Sequence, residues 1–128
     1  LPTFDHLITT LVSDLESRGM LDDVLIVAMG DFGRDPILGT QRGFTGGRNH
    51  WKGVSSVCLA GGGLKHGQVI GASDRTGGHI HDRPIQPSDL AATIYQHMNV
   101  PLDATYLETS GRPLYIIDGD GEPIRELI

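Results

Sequence analysis

Two residues in the first half of the chain have the types and positions to bind a metal ion together. Asp31 follows an apolar run, 24–29, and His50 ends a glycine-rich loop before a second apolar run, 54–60. In α/β proteins ligands bind where parallel strands end, so a carboxylate and an imidazole can meet there. Both are ligands for hard or borderline cations. We therefore predict that Asp31 and His50 hold a divalent metal: zinc, calcium, magnesium or manganese.

Each of these residues also has a purely structural interpretation. An Asp after a strand commonly forms an Asx turn or caps a helix, and an isolated His is often simply hydrogen-bonded within the fold. Arg34 offers a planar guanidinium that suits a sulfate or phosphate group, or a surface ion pair with Asp35. We predict Arg34 as a substrate-binding residue and keep the ion pair as the alternative.

Other chemistry-bearing residues give weaker signals. His79 and His81 alternate beside Asp82, which allows a second metal site, although a solvated loop is the simpler interpretation. Cys58, the single cysteine, lies within an apolar run and is predicted to be a small core residue. The glycines at 61–63 lack the following helix of a nucleotide-binding loop.

The hydrophobic pattern predicts α/β layering around these residues. The run at 24–29 is expected to be a strand covered on both faces, and Ser88 is expected to cap the second helix. The first half of the pattern predicts a helix (4–18), a strand (24–29), a long loop (30–49) that is either functional or disordered, and a strand (54–60). The second half predicts a hairpin around 68–70, an irregular segment (79–86), a helix from 87 that ends before Pro101, and a strand (112–117) before an acidic, glycine-rich turn.

The bulk properties exclude several classes of function. With 128 residues the chain is a single domain or one piece of a larger domain. Its formal net charge of -6 argues against non-specific nucleic-acid binding, which needs a basic face. No stretch approaches the ~20 apolar residues of a membrane span. We therefore expect neither a nucleic-acid partner nor a membrane-spanning segment.

Four motifs, in order, resemble those of the alkaline phosphatase-like superfamily, which includes the sulfatases. They are closest to an uncharacterised bacterial sulfatase-like family, domain of unknown function 1501 (DUF1501), whose members carry Met-Gly-Glu-Phe-Gly-Arg, Gly-Arg-Asp-His-Trp, Leu-Ala-Gly-Gly-Gly and Asp-Leu-Ala-Ala-Thr-Ile-Tyr. The corresponding segments of this chain are 29–34, 47–51, 59–63 and 89–95.

The resemblance implies a partial alkaline phosphatase-like sheet flanked by helices. It also assigns Asp31 and His50 as metal ligands, whereas Phe32 stands where related phosphatases and sulfatases have a further His or Asn ligand. The family places its nucleophile and additional metal ligands in an N-terminal part that these residues do not include. We therefore expect the C-terminal portion of a larger enzyme, inactive by itself.

The function implied by this resemblance is metal-dependent hydrolysis of sulfate or phosphate esters, with an anionic small molecule or glycan ester as substrate. The alternative is a non-catalytic binding or surface protein that retains the fold. An incomplete sheet leaves an edge that can pair, so a homo-oligomer is compatible with the sequence. Family members are often exported, so we expect an exported or periplasmic parent protein.

Overall fold

The computed structural model describes residues 1–117 and 119–128, and these form a mixed α/β structure. The α/β class predicted from the sequence is confirmed at this level. The elements, in chain order, are α1 (Pro2–Ser17), β1 (Leu25–Met29), β2 (Gly33–Arg34), β3 (His50–Trp51), β4 (Val57–Gly61), β5 (Ala72–Ser73), β6 (Ile80–Asp82), α2 (Pro87–His97), β7 (Thr105–Leu107) and β8 (Pro113–Tyr115).

The strands form two-stranded sheets. Within the described residues, β1 pairs with β4, β2 with β3, β5 with β6 and β7 with β8. The last three pairs are antiparallel. The chain divides into two compact units: Leu1–Leu25 with Ala60–Gly67 and Ile85–Ile128 (unit 1), and Ile26–Leu59 with Gln68–Pro84 (unit 2). None of the helices formed by the described residues has the length and apolar character needed to cross a membrane.

Helix α1 is confirmed, although it begins two residues earlier and ends one residue earlier than the predicted 4–18. Pro2 occupies the first turn, where its missing N–H costs nothing. At the other end Gly19 adopts a left-handed φ of 66°. Its N–H donates to the Glu16 carbonyl at 2.9 Å, and the Met20 N–H donates to the Leu15 carbonyl at 2.9 Å. These two bonds are a Schellman motif, which satisfies the last carbonyls of the helix.

The core of unit 1 lies between α2 and the C-terminal segment. The Thr93 side chain is 1% exposed. Its hydroxyl donates to the Asp89 carbonyl at 2.7 Å and accepts the Ile124 N–H at 2.9 Å. The buried apolar residues of the described chain are Ala92, Ile117, Ile124 and Leu127. No residue of α1 is buried, and only part of its apolar stripe is even half-buried.

The prediction that the strands at 24–29 and 54–60 are buried is wrong for both β1 and β4. Residues 25–28 are only half-buried and Met29 is exposed. The second strand starts at Val57 rather than at Val54, because the Val54 carbonyl packs against Gly33: a Cβ on that glycine would lie 1.6 Å from the Val54 oxygen. Cys58 is exposed, so the prediction that it is a core residue is wrong.

Helix α2 begins at Pro87, as predicted, but its N-cap differs from the prediction. Its N-cap is Gln86 rather than Ser88, and the Gln86 N–H donates to the Asp89 carboxylate at 2.8 Å. Because Pro87 suits the first helical position, the cap moves to the residue before it. The irregular segment predicted at 79–86 contains β6. The hairpin predicted around 68–70 is wrong, since these residues belong to no strand and β6 instead pairs with β5.

Only one strand of the C-terminal pair, β7 and β8, was predicted from the sequence. Strand β8 lies within the segment predicted at 112–117, whereas its partner β7 was not predicted. The acidic, glycine-rich turn predicted after 117 begins at Asp118, which lies outside the described residues.

Candidate functional site

The candidate site is built on the β2–β3 ribbon of unit 2. Gly33 pairs with Trp51 and Arg34 pairs with His50 in an antiparallel register. Directly opposed residues of such a pair project from the same face of the ribbon, with their Cβ atoms about 5 Å apart. The register therefore places the Arg34 guanidinium and the His50 imidazole on one face.

Asp31 meets His50 next to this ribbon. The Asp31 Oδ2 atom lies 3.0 Å from His50 Nε2, while Asp31 Oδ1 accepts the Phe32 N–H at 2.9 Å. The Phe32 ring lies against the imidazole, with centroids 5.4 Å apart and planes tilted by 57°. The two residues predicted as metal ligands are therefore adjacent, and an aromatic ring covers one side of the imidazole.

This carboxylate–imidazole pair contributes little to stability. The Asp31 and His50 side chains are 63% and 55% exposed, and exposed ion pairs of this kind are typically worth only about 0–1 kcal/mol.

Arg34 forms no ion pair within residues 1–117 and 119–128. The alternative predicted for it, a pair with Asp35, is absent because Asp35 Oδ1 instead accepts the N–H of Ile37 at 2.9 Å. An exposed guanidinium opposite His50 is therefore available to an anion.

The 3.0 Å separation of the Asp31–His50 pair is that of an ordinary hydrogen bond or ion pair, and it also allows the two atoms to be neighbouring ligands of one cation. Oxygen and nitrogen atoms each about 2.1 Å from a metal lie about 3.0 Å apart at a right angle, and about 3.4 Å apart at the tetrahedral angle. The observed 3.0 Å is closer to the first value. Across the described part of the chain no three or more His, Cys, Asp or Glu side chains form a metal-binding group.

A second ordered cluster in unit 2 escaped the sequence analysis. Asp74 Oδ1 accepts the Thr76 N–H at 3.0 Å, the Thr76 hydroxyl at 2.8 Å and the Gly78 N–H at 3.0 Å. Its Oδ2 lies 3.3 Å from His79 Nδ1. The Thr76 hydroxyl bond, followed by the Gly78 N–H, holds the pKa of the Asp74 carboxyl well below its usual range.

Trp51 attaches this cluster to the β2–β3 ribbon. Its indole Nε1–H donates to the Gly78 carbonyl at 2.7 Å, and its ring meets His79 edge-on at 6.3 Å. Neighbouring residues of a strand face opposite sides, so Trp51 turns away from the face that carries His50. A Cβ on Gly53 would lie 2.6 Å from Trp51 Nε1, so this approach requires glycine at 53.

The sequence did contain a signal for the Asp74 cluster. An Asp with Thr two residues on and then two glycines is a strong candidate for an Asx turn, since the carboxylate can reach N–H groups two and four residues on. A second metal site was considered at His79 and His81, but the described residues form no group of three or more possible ligands there, and His79 contacts Asp74.

Fold and site together define a mixed α/β protein with an exposed carboxylate–imidazole pair beside an arginine. The chain belongs to the DUF1501 family of proteins of unknown function, whose family model matches residues 1–128. Neither curated proteins nor solved structures include a significant match to the chain.

Proposed function

We propose that the chain is the C-terminal part of an alkaline phosphatase-like, metal-dependent hydrolase of sulfate or phosphate esters. Asp31 and His50 hold one divalent cation, and Arg34 binds the anionic ester group. The observation that carries the proposal is the 3.0 Å separation of Asp31 Oδ2 and His50 Nε2, with Arg34 directly opposite His50.

The chemistry of the three side chains suits this role. A bound divalent cation polarises an ester oxygen and stabilises the charge that develops on it. Arg34 offers two parallel N–H donors to a sulfate or phosphate, which fixes its orientation as well as its charge. The Asp31 Oδ1 bond to the Phe32 N–H holds the carboxylate so that Oδ2 remains directed at His50.

Phe32 gives the site an apolar side. Its ring, 5.4 Å from the imidazole, displaces water from one side of His50, and less water strengthens the electrostatic interactions of the remaining groups. The chain supplies two ligands and no identified nucleophile, so we expect negligible hydrolysis by this chain alone.

The alternative function, a non-catalytic binding protein, is favoured by the same Phe32. An aromatic side chain cannot replace the polar ligand that related phosphatases and sulfatases have there, and the fold can persist after the chemistry is lost. The two functions differ in whether Asp31 and His50 bind metal at all.

Metal binding by single variants distinguishes these functions. Titration calorimetry with zinc and with manganese measures affinity in the parent chain and in Asp31→Asn and His50→Gln. Both variants are expected to abolish binding of the ion that the parent chain takes up. Circular dichroism confirms that each variant is folded.

The chain offers a matched control in its second Asp–His pair. His79→Gln removes an imidazole 3.3 Å from the Asp74 carboxylate, whose Oδ1 already accepts three hydrogen bonds, and it should retain metal binding. If the His79 variant loses binding as His50→Gln does, or if neither Asp31→Asn nor His50→Gln changes it, the proposed metal centre is wrong.

A further inference from the structure

The segment around the candidate site has a charge opposite to that of the whole chain. Residues 32–52, which we call the basic segment, contain four basic residues and a single acidic one, in a chain whose formal net charge is -6. The basic residues are Arg34, Arg42, Arg48 and Lys52. Clustered charge of one sign raises the local concentration of ligands of the opposite sign.

No carboxylate of the described residues forms an ion pair with the basic segment. The side chains of Arg42 and Lys52, like that of Arg34, form no hydrogen bond or ion pair within the same residues, and Arg48 Nη1 donates only to the backbone carbonyl of Asp35, at 3.3 Å. Outside the segment, Arg18 and Arg125 each pair with a carboxylate, at 3.0 and 2.8 Å, whereas Arg75 and Arg112 form no ion pair within the described residues.

The basic segment is also ordered by its own hydrogen bonds. The Asp35 N–H donates to the Asn49 carbonyl at 3.0 Å, the Gly39 N–H to the Gly47 carbonyl at 2.9 Å, and the Asn49 side-chain amide to the Thr40 carbonyl at 2.6 Å. These bonds connect its two arms and present the turn that carries Arg42. A pre-ordered loop loses little conformational entropy when a ligand binds.

Apolar side chains are exposed among these cations. Ile37, Leu38 and Phe44 are 66%, 61% and 65% exposed. Cations interspersed with apolar groups suit a ligand that carries several anionic groups on a carbon framework, such as a sugar ring, better than they suit a free inorganic anion.

We propose that the basic segment binds a second anionic group of the substrate, so that the substrate is a polyanionic ester: one sulfate or phosphate at Arg34 and at least one further negative charge at Arg42 and Lys52. The inference rests on the proposed function, because the segment begins and ends beside the Asp31–His50 pair. A nucleic acid would meet the acidic remainder of the chain as well, which favours a compact ligand.

Binding of compact polyanions tests the inference. Sucrose octasulfate and inositol hexakisphosphate serve as probes, and 4-nitrophenyl sulfate serves as a ligand without the second anionic group. Calorimetry should show that the parent chain binds at least one polyanion. The affinity should fall by about tenfold in Arg42→Gln/Lys52→Gln, because each exposed charge contributes about threefold. Preference between the two probes distinguishes sulfate from phosphate esters.

A charge-matched variant controls for the change in net charge. Arg112→Gln/Arg125→Gln removes two exposed cations outside the basic segment and should leave polyanion affinity unchanged. Equal weakening by both double variants, or no polyanion binding by the parent chain, would overturn the inference. The inference would also be overturned if duplex DNA or phosphatidylserine vesicles bound the parent chain as tightly as the compact polyanions do, and if Arg42→Gln/Lys52→Gln abolished that binding as well.

The same samples separate this inference from the proposed function. Arg42→Gln/Lys52→Gln should retain the metal affinity of the parent chain, because neither residue is a proposed ligand. Loss of polyanion affinity with metal affinity retained supports the basic segment. A parent chain that binds the polyanion through the basic segment but binds no metal refutes the metal centre alone.

Discussion

Gly53→Ala tests the attachment of Trp51 to the Asp74 cluster. A methyl group at 53 would lie 2.6 Å from Trp51 Nε1 and 2.7 Å from the Gly78 oxygen, between the two ends of their 2.7 Å hydrogen bond. Both distances are shorter than normal contacts, so the bond must open. Gly53 has no left-handed φ, and the effect of alanine is therefore steric rather than a matter of backbone strain.

The expected loss follows from these contacts. Losing the hydrogen bond costs about 1 kcal/mol, and the partly buried Gly78 carbonyl left without its donor costs about 1 kcal/mol more. Alanine also lowers the conformational entropy of the unfolded chain, which stabilises the folded state by about 0.5 kcal/mol. We expect Gly53→Ala to lower the free energy of unfolding by about 1.5 kcal/mol, measured by urea denaturation followed by circular dichroism.

Fluorescence and a matched glycine make the experiment specific. Trp51 is the single tryptophan, so its emission should shift to longer wavelength as the indole becomes hydrated. Gly46→Ala is the control, since Gly46 has no atom within 4 Å of its Cβ position and no left-handed φ. If the two variants have the same stability and the same emission, Gly53 does not hold Trp51 in place.

Three further substitutions test other contacts. Thr93→Val should cost about 2–3 kcal/mol by urea denaturation, because it leaves the Ile124 N–H buried without an acceptor; Thr93→Ser should restore most of this. Asp74 has a pKa lowered in the folded state and near 3.8 when unfolded, so its contribution to stability is present above about pH 4 and lost as the pH falls further. Asp74→Asn should therefore lose more stability at pH 7 than at about pH 2.5, and an equal loss at both would refute this. Gly33→Ala should disrupt the β2–β3 ribbon more severely than Gly53→Ala, because its Cβ would meet the Val54 oxygen at 1.6 Å; an unchanged NMR spectrum of His50 would contradict this.

Local sequence determines the elements that were predicted well. The end of α1 depends on one glycine whose left-handed φ costs little, and Gly19 adopts it. The body of α2 follows from apolar spacing within eleven residues. The sequence also predicted that Asp31 and His50 lie next to each other, and their side chains are 3.0 Å apart. Metal binding by the pair stays a prediction.

The mispredicted features depend on contacts between distant residues. Val54 leaves the predicted strand because its carbonyl packs against Gly33, twenty-one positions earlier. Cys58 is exposed because no described element covers its side of β4. Strand β7 contains three residues and exists through its pairing with β8. Apolar periodicity carries no information about such partners, and short strands are therefore hard to predict from it.

The distribution of buried side chains has a consequence for amide hydrogen exchange. All of the buried apolar side chains of the described residues lie in unit 1, whereas Asp31 and His50 lie in unit 2, where none is buried. The Ile124 amide, bonded to Thr93, should therefore be among the slowest to exchange, and amides of the β2–β3 ribbon among the faster. Part of the binding energy of a ligand at His50 would offset the cost of suppressing local unfolding of the ribbon. Slower amide exchange at Arg34 and His50 would therefore detect ligand binding even in the absence of a reaction.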